Sequence, residues 1–306
     1  MLKISNISKR FGRIDALKNI DLEIEQGEFF GLLGPNGAGK STLMDIIIGY
    51  HKPDTGTLFF ENEIIIPEKL VTRYKFGYVP QEISLYQELS AHQNLKIFGS
   101  IYKMSSKELD RKIAKVLELV KLSERKNDTV KDFSGGMKRR LNLAASILHD
   151  PQIILCDEPT VGIDPQSRNA IFDMLHQLNQ NGKTIIYTTH YMEEAERLCS
   201  KLAIIDEGKI IANGSLNDLI KLSEKRETIR VRKTSGIISK ADFLKSLGDV
   251  IELDYYFEIR TEEKGKQNSE LFLNLEKEGI PPELIELRKS SLEDVFLNLT
   301  GRSLRD

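Results

Sequence analysis

An α/β protein with a mostly parallel central sheet wrapped by helices, followed by a small α+β module, is the fold class the sequence predicts. Three observations carry that expectation. Short, wholly apolar runs, Phe29-Phe-Gly-Leu-Leu33 and Ile153-Ile-Leu-Cys156, have the texture of strands buried on both faces. They alternate with longer stretches whose apolar residues recur at helical spacing. Near Leu222 the chain turns polar and charged through Ser-Glu-Lys-Arg-Glu, which predicts a linker over 222–227 between a first domain, 1–221, and a second, 228–306.

The elements justify themselves in order. Leu2, Ile4 and Ile7, then Ile20, Leu22 and Ile24, alternate as strands with one wet face. The strand Phe29–Leu33 runs into a glycine-rich turn, and helical character continues from Thr42 to Gly49, the start of a βαβ unit. From about Glu88 to Asn127 the texture is helical, and a helical subdomain is expected over about 88–149. Ser105-Ser-Lys-Glu108 matches a capping box, after which Leu109, Ile113, Val116, Leu117 and Val120 share one face. A further helix is predicted from near Gly135 to His149-Asp-Pro151. Asp164-Pro165 supplies an N-cap and a proline at the first helical position, with Ile171, Leu175 and Leu178 behind them. Thr184–Thr189 is again a strand, and Leu202–Ile205 with Lys209–Ala212 form a hairpin around Glu207-Gly208.

Past the linker the predicted order is strand (Thr228–Arg232), helix (Ser239–Leu247), two strands within Asp249–Arg260, helix (Ser269–Glu278), strand (Leu284–Leu287) and helix (Leu292–Leu299). That is a βαββαβ sequence with a helical tail, the ferredoxin-like pattern, with Leu244, Phe272 and Phe296 expected in its core.

Composition removes several function classes. At 306 residues, 40% hydrophobic and 29% charged, the chain can build a sizeable core and is far from the disordered class. A net charge of −2 argues against a nucleic-acid binder, which needs a surplus of Lys and Arg. Two cysteines cannot make a disulfide scaffold or a four-thiolate zinc site, and they suit a reducing compartment. The longest uncharged run with strongly apolar residues, Phe29–Gly39, is broken by glycines and a proline, so no membrane span is expected. The N-terminus lacks the apolar stretch of a signal peptide, and a cytoplasmic location follows as the expectation.

Three motifs carry chemistry. Gly34-Pro-Asn-Gly-Ala-Gly39-Lys40-Ser41 fits the phosphate-binding pattern G-x-x-x-x-G-K-[ST]. Its glycines let consecutive backbone N–H groups turn inward on phosphate oxygens, Lys40 reaches the β- and γ-phosphates, and the Ser41 hydroxyl suits Mg²⁺. Asp157 and Glu158 end the buried strand that starts at Ile153: Asp157 is placed for the Mg²⁺ shell and Glu158 to orient or deprotonate a water. Ser134-Gly-Gly136 at a helix N-terminus makes a second anion-binding end in the same chain, though an ordinary N-cap would look the same.

Taken in order, Gly34–Ser41, Val79-Pro-Gln81, Ser134-Gly-Gly136, Asp157-Glu-Pro-Thr160, Gly162-Ile-Asp-Pro165 and Thr189-His190 resemble the ATP-binding subunit of an ATP-binding cassette (ABC) transporter over residues 1 to about 215. The resemblance implies a P-loop NTPase cassette, with an antiparallel β subdomain and a helical subdomain, that hydrolyses Mg²⁺-ATP. It implies a homodimer that closes head to tail on two ATP molecules, Ser134, Gly135, Gly136 and Met137 of one chain facing the other's P-loop residues Gly34, Pro35, Asn36, Gly37, Ala38, Gly39, Lys40, Ser41 and Thr42. By the same resemblance Phe11 stacks on adenine and Gln81 reaches Mg²⁺ and the attacking water beside a groove for the membrane partner. Asp164 sits at the dimer seam, and His190 contacts the γ-phosphate. A separate transmembrane permease is implied as partner, with the subunit peripheral on the inner face of the membrane.

One position departs from the family pattern. Met137 stands where a glutamine usually follows Ser-Gly-Gly, which predicts a weaker polar contact across the seam. The Met137-Lys-Arg-Arg140 continuation and the tail Ser290–Gly301 resemble the subgroup that serves ABC-2-type exporters. Arg139 and Arg140 are expected on a solvated helix face, and Cys156 in the core with Cys199 a bystander. The alternatives are an importer subunit and a soluble ABC ATPase acting on ribosomes or DNA; a single cassette without extended heptads disfavours the latter.

Overall fold

The computed structural model describes residues 2–66, 69–222, 228–260, 266–288 and 290–300. The chain divides into two compact units, Met1–Leu216 and Asn217–Asp306. The division falls ahead of the expected linker, of which residues 223–227 lie outside the described residues.

The first unit opens with β1 (Leu2–Phe11), β2 (Ile14–Ile24) and β3 (Phe29–Leu33), then α1 (Lys40–Ile47), β4 (Thr55–Phe60) and β5 (Glu63–Ile65). A short α2 (Leu70–Arg73) and β6 (Phe76–Val79) lead to α3 (Ala91–Ser100), α4 (Ser106–Leu119) and α5 (Gly135–Ile147). Alternation resumes with β7 (Ile153–Asp157), α6 (Pro165–Gln180), β8 (Thr184–Thr189), α7 (Met192–Leu198) and the hairpin β9 (Lys201–Asp206) and β10 (Lys209–Ser215). Two sheets result. One is antiparallel in the order β2-β1-β4-β5; the other runs β10-β9-β3-β8-β7-β6, parallel except at β10. A single apolar cluster joins them through α1: Leu43, Met44, Ile46 and Ile47 meet Ile4, Ile7 and Leu22 of one sheet and Leu32, Leu155 and Ile186 of the other. Burying both faces of the central sheet is why its strands read as continuous apolar runs.

The long helical stretch resolves into α3 and α4 with a break over residues 101–105 between them. The reciprocal capping box lies at Ser90 and Gln93, where each side chain bonds the other's backbone N–H. At Ser105 only the forward bond forms, from the Glu108 N–H at 3.3 Å; the Glu108 carboxylate reaches Lys112 one turn on, at 3.6 Å. The sequence therefore misplaces the box because the i,i+4 cation competes for the same carboxylate.

After α8 (Leu216–Leu222) the second unit builds β11 (Thr228–Arg232), α9 (Ser235–Ile238), α10 (Ala241–Ser246), β12 (Asp249–Glu252), β13 (Tyr256–Arg260), α11 (Lys266–Lys277), β14 (Ile285–Arg288) and α12 (Leu292–Thr300). Its sheet order, β12-β13-β11-β14, is antiparallel throughout and is the ferredoxin-like arrangement. The expected helix over Ser239–Leu247 starts earlier and is broken in two, because Thr234 caps α9 by accepting from the Ile237 N–H. Ile229, Val231, Leu244, Phe257, Ile259 and Leu275 make its core. Leu244 and Phe296 are buried as expected, whereas Phe272 is half-buried at the cluster's edge and Leu271 takes the interior.

His149, just past α5, gives the first unit a built-in acid sensitivity. Its Nε2–H donates to the Phe76 carbonyl at 3.0 Å, its ring stacks on Tyr102 at 4.0 Å, and its Nδ1 is buried without a partner. Burial pushes its pKa down from 6.5 to about 4. The folded chain thus stays neutral there while the unfolded chain takes up a proton, so stability falls as pH drops from 6.5 to about 4. Urea denaturation at about pH 7 and about pH 4.5 should show a loss of about 2–3 kcal/mol from this residue. His149→Gln, which keeps a donor for the carbonyl and cannot titrate, should remove that share. An unchanged acid limb in the variant would refute the assignment.

Candidate active site

The parallel register brings the functional residues together. Leu33 lies opposite Thr189, Thr188 opposite Asp157, and Cys156 opposite Val79, so β3, β8, β7 and β6 end side by side. Loops at the carboxyl ends of parallel strands are where such sheets bind ligands. The Gly34–Ser41 loop leaves β3, His190 leaves β8, Glu158 leaves β7 and Gln81 follows β6.

The loop's shape depends on Gly37 and Gly39, at φ 79° and 109°. Gly39 caps α1 in the left-handed region, and a Cβ there would lie 2.6 Å from the Ala16 carbonyl oxygen; at Gly37 the space is open. The Ala38 N–H donates to the Pro35 carbonyl at 3.2 Å and its own carbonyl accepts from the Gly208 N–H at 3.0 Å, tying the loop to the β9–β10 hairpin. Lys40 folds back over the loop. Its Nζ donates to the Gly34 and Pro35 carbonyls at 2.7 and 3.0 Å and lies 3.0 Å from Glu158 Oε1. With Lys40 5% and Glu158 6% exposed, this is a buried ion pair.

Glu158 sits at φ 43°, a conformation non-glycine residues rarely adopt and one that clusters at functional sites. Its N–H donates to Thr188 Oγ1 at 2.9 Å, and its Oε2 lies 3.1 Å from His190 Nδ1. The same Thr188 hydroxyl donates to Asp157 Oδ1 at 2.7 Å, so one side chain bridges the two acidic residues. Tyr78 OH donates to Asp157 Oδ2 at 3.4 Å; burial and the neighbouring Asp157 hold its phenol protonated.

A cleft of about 860 Å³ opens here, lined by Phe11, Asn36, Gly37, Gly39, Lys40, Ser41, Thr42, Gln81 and Glu158. Phe11 is exposed at its rim, edge-on to His51 at 5.1 Å. Asp157 and His190 connect to the cleft through Thr188 and Glu158. Ser134, Gly135, Gly136, Met137 and Asp164 do not line it; they form a second group. Ser134 caps α5, accepting from the Met137 N–H at 3.2 Å. Gly136 packs on Ser167, whose N–H donates to Asp164 Oδ1 at 2.9 Å and holds that carboxyl below its usual range. The residues expected at the seam therefore lie together, apart from the cleft.

Oxygen donors around the cleft suit Mg²⁺: the Ser41 hydroxyl, the Gln81 amide and the Asp157 carboxylate are hard ligands, and such an ion takes its remaining ligands from water and substrate phosphates. Among the described residues no three His, Cys, Asp or Glu side chains converge on a metal position.

Sequence reasoning missed three features. Glu194 is buried and accepts from Thr160, Tyr187 and Thr189 at 2.9, 2.9 and 2.8 Å, joining the turn after Glu158 to the strand before His190. The signal was present: three hydroxyls in a row on a buried strand need partners. Arg139 and Arg140 are not a solvated face, as expected, but bond main-chain carbonyls. Arg140 donates to Val120 and Lys121 at 2.8 and 3.4 Å, while Arg139 donates to Gln81 and, at 3.3 Å, to Val161. Cys199 is buried like Cys156, though less completely.

Comparisons agree with this geometry. Residues 17–161 match the ABC transporter family. A linearmycin resistance ATP-binding protein of Bacillus subtilis (strain 168) is 42% identical over 312 residues, covering 100% of both chains. A Nod factor export ATP-binding protein I of Cupriavidus metallidurans is 39% identical, covering 100% of this chain and 99% of the relative. Among solved structures, a dimeric ATP-binding cassette in a post-hydrolysis state bound to ADP and Pi superposes with TM-score 0.64 at 31% identity, covering 71% of this chain and 99% of the other. This fold, with the glycine loop between a buried strand and α1, defines a nucleotide-binding cassette ATPase. The chain belongs to the ABC transporter family as an ATP-binding subunit.

The two glycines should respond differently to alanine. Gly37→Ala adds only the left-handed penalty of about 1–2 kcal/mol. Gly39→Ala adds a backbone collision and should lower the melting temperature by clearly more. Differential scanning calorimetry compares them, and equal shifts would contradict the loop geometry.

Proposed function

We propose that the chain binds Mg²⁺-ATP in the cleft, closes on a second copy, and powers export through a separate membrane-embedded permease. The convergence of Lys40, Glu158 and His190 on one point beside the glycine loop carries the catalytic part of this reading. In the resting chain both Glu158 oxygens are engaged, one by Lys40 and one by His190. Phosphate oxygens compete for the Lys40 ammonium and release Oε1. That oxygen then accepts the proton of a water attacking the γ-phosphorus in line, as the bond to the β-phosphate oxygen breaks. Lys40 holds the β- and γ-oxygens, His190 the γ-phosphate, and Ser134 with Gly135 and Gly136 of the second copy adds N–H donors to the developing charge. Ser41, Gln81 and Asp157 would hold Mg²⁺, which when bound would supply positive charge against the phosphate oxygens. Phe11 offers the adenine a ring face at the rim.

Export is supported by the names of the two relatives, one for resistance and one for export, each similar along its whole length. The same names favour a transport subunit over a ribosomal or DNA-directed ATPase and over an importer. No helix among the described residues is long and apolar enough to cross a membrane, which leaves the membrane path to the permease. A largely apolar cleft of about 450 Å³ begins one residue before Gln81, at Pro80, and is lined by Tyr50, Phe98, Ile101 and Tyr102. Tyr50 and Ile101 are exposed there, and the buried Asn142 Nδ2 has no partner. A short cytoplasmic helix of the permease, with apolar side chains and one acceptor, fits these demands and would hold the subunit at the inner membrane face. Residues 228–306 act as an accessory domain.

Lys40→Ala should lose turnover and at least about tenfold in ATP affinity, since a charge-assisted hydrogen bond is worth about 1.5–3 kcal/mol. Glu158→Gln should still bind ATP while hydrolysing about 10²–10⁴-fold more slowly. Isothermal titration and phosphate release measure both; wild-type turnover in either variant would sink the residue roles.

Met137 offers no glutamine-like hydrogen bond across the seam, so the isolated subunit should pair weakly. In the Glu158→Gln background, Met137→Gln should tighten the ATP-dependent dimer by about 1–3 kcal/mol over two symmetric sites. Sedimentation equilibrium decides it, and an equal or weaker dimer would show the methionine compensated by its neighbours.

A further inference from the structure

The Arg139 guanidinium occupies an unusual position. It rises from α5, the helix that begins with Ser134-Gly-Gly136, and its two terminal nitrogens divide between separate loops. Nη1 donates to the carbonyl of Gln81, which lines the nucleotide cleft. Nη2 donates to the carbonyl of Val161 at 3.3 Å, in the turn where the Val161 N–H returns to the Glu158 carbonyl at 3.3 Å. That turn continues to Asp164. One planar fork thus touches the main chain of the Gln81 loop and of the segment leaving Glu158. Among the described residues no carboxylate pairs with it, and burial lowers its pKa. A half-buried guanidinium spent on two carbonyls is expensive unless the geometry it enforces matters.

Arg140, the next residue, makes a useful contrast. Its Nη1 bonds the carbonyls of Val120 and Lys121 at the end of α4, far in sequence from the cleft residues. Two neighbouring arginines on one helix therefore do the same chemistry, one for a helix end and one for the site.

We propose that Arg139 is a positioning residue for ATP hydrolysis: its fork fixes the Gln81 loop and the Glu158–Val161 turn relative to each other and ties both to the helix that starts at Ser134. The inference rests on the ATPase reading above. A movement of the Ser134 end then displaces Gln81 and the turn together, through two directional hydrogen bonds. Both acceptors are main-chain carbonyls and not the side chains assigned to Mg²⁺-ATP, so the fork acts on turnover and not on ATP affinity.

The test uses the full chain and compares wild type, Arg139→Ala, Arg139→Lys and Arg140→Ala. For each, steady-state hydrolysis is followed against Mg²⁺-ATP concentration, ATP affinity is titrated, and the melting temperature is recorded. Wild-type hydrolysis and its loss in Lys40→Ala test the ATPase reading separately; if those fail, the reading fails whatever Arg139 does. With them in place, Arg139→Ala should lower kcat at least about tenfold, equivalent to about 1.4 kcal/mol in the barrier, with ATP affinity within about threefold of wild type. Arg139→Lys, which keeps the charge but not the planar fork, should recover part of kcat. Arg140→Ala should lower the melting temperature and leave kcat per folded molecule unchanged. The proposal is overturned if Arg139→Ala keeps wild-type kcat, or if ATP affinity falls in step with kcat. Should Arg139→Ala not fold, Arg139→Lys carries the same comparison, and full kcat in it would overturn the proposal.

Discussion

Glu158 is held between the Lys40 ammonium and the His190 imidazole, in a pocket nearly closed to water and on a left-handed backbone. Each part of that arrangement is costly alone. A buried carboxylate needs partners, a buried ammonium needs acceptors, and a glutamate at positive φ needs surroundings that over-determine it. The parallel sheet supplies all three. β8 lies between β3 and β7, so it presents Thr188 to the Glu158 N–H, delivers His190 beside the carboxylate, and separates the two strands by the width the Lys40 side chain spans. A shift of one residue in the β7–β8 register would turn Thr188 to the wrong face and leave the Glu158 N–H without an acceptor.

The resting contacts also determine what nucleotide can do. Lys40 already bonds two loop carbonyls and a carboxylate, so the loop is held in shape before any phosphate arrives. Nucleotide binding as proposed would exchange one set of oxygens for another and avoid most of the ordering cost. In the proposed function the exchange would also be selective for state, because phosphate would draw the ammonium from Glu158 and alter the carboxylate's partners. A ligand shifts a conformational equilibrium only through contacts that differ between states, and the Lys40–Glu158 pair is such a contact.

What was legible in the sequence follows the range of the interactions involved. The loop Gly34–Ser41 is legible because an inward array of backbone N–H groups demands glycines at short, fixed spacing. Asp157-Glu158 and the Asp164-Pro165 cap are local for the same reason, and the βαββαβ order of the second unit follows from periodicity. Contacts between distant segments leave no such trace. Arg139 reads as a solvated cation because the carbonyls it meets come from positions 58 and 22 residues away. The Glu194 cluster joins Thr160, Tyr187 and Thr189 across strand and turn, and only the oddity of hydroxyls on a buried strand hints at it. The capping box is misplaced for a subtler reason: Ser90 and Ser105 have similar local patterns, and at Ser105 the Glu108 carboxylate pairs with Lys112 while the reciprocal bond forms only at Ser90.

Two adjacent carboxylates acquire separate tasks through the same geometry. On an extended strand Asp157 and Glu158 would already point to opposite faces, and the positive φ at Glu158 turns the second further from the first. Asp157 ends among hydroxyls, with Thr188 on one oxygen and Tyr78 on the other, both neutral donors. Neutral donors leave a carboxylate its full charge and spare lone pairs, which suits a group that attracts a cation. Glu158 ends between two nitrogen groups, which suits its proposed role of taking a proton once phosphate has drawn them away. The Thr188 hydroxyl accepts from the Glu158 backbone and donates to the Asp157 side chain, so it fixes both positions at once. The two carboxylates' different surroundings are therefore built by one strand neighbour and one backbone dihedral.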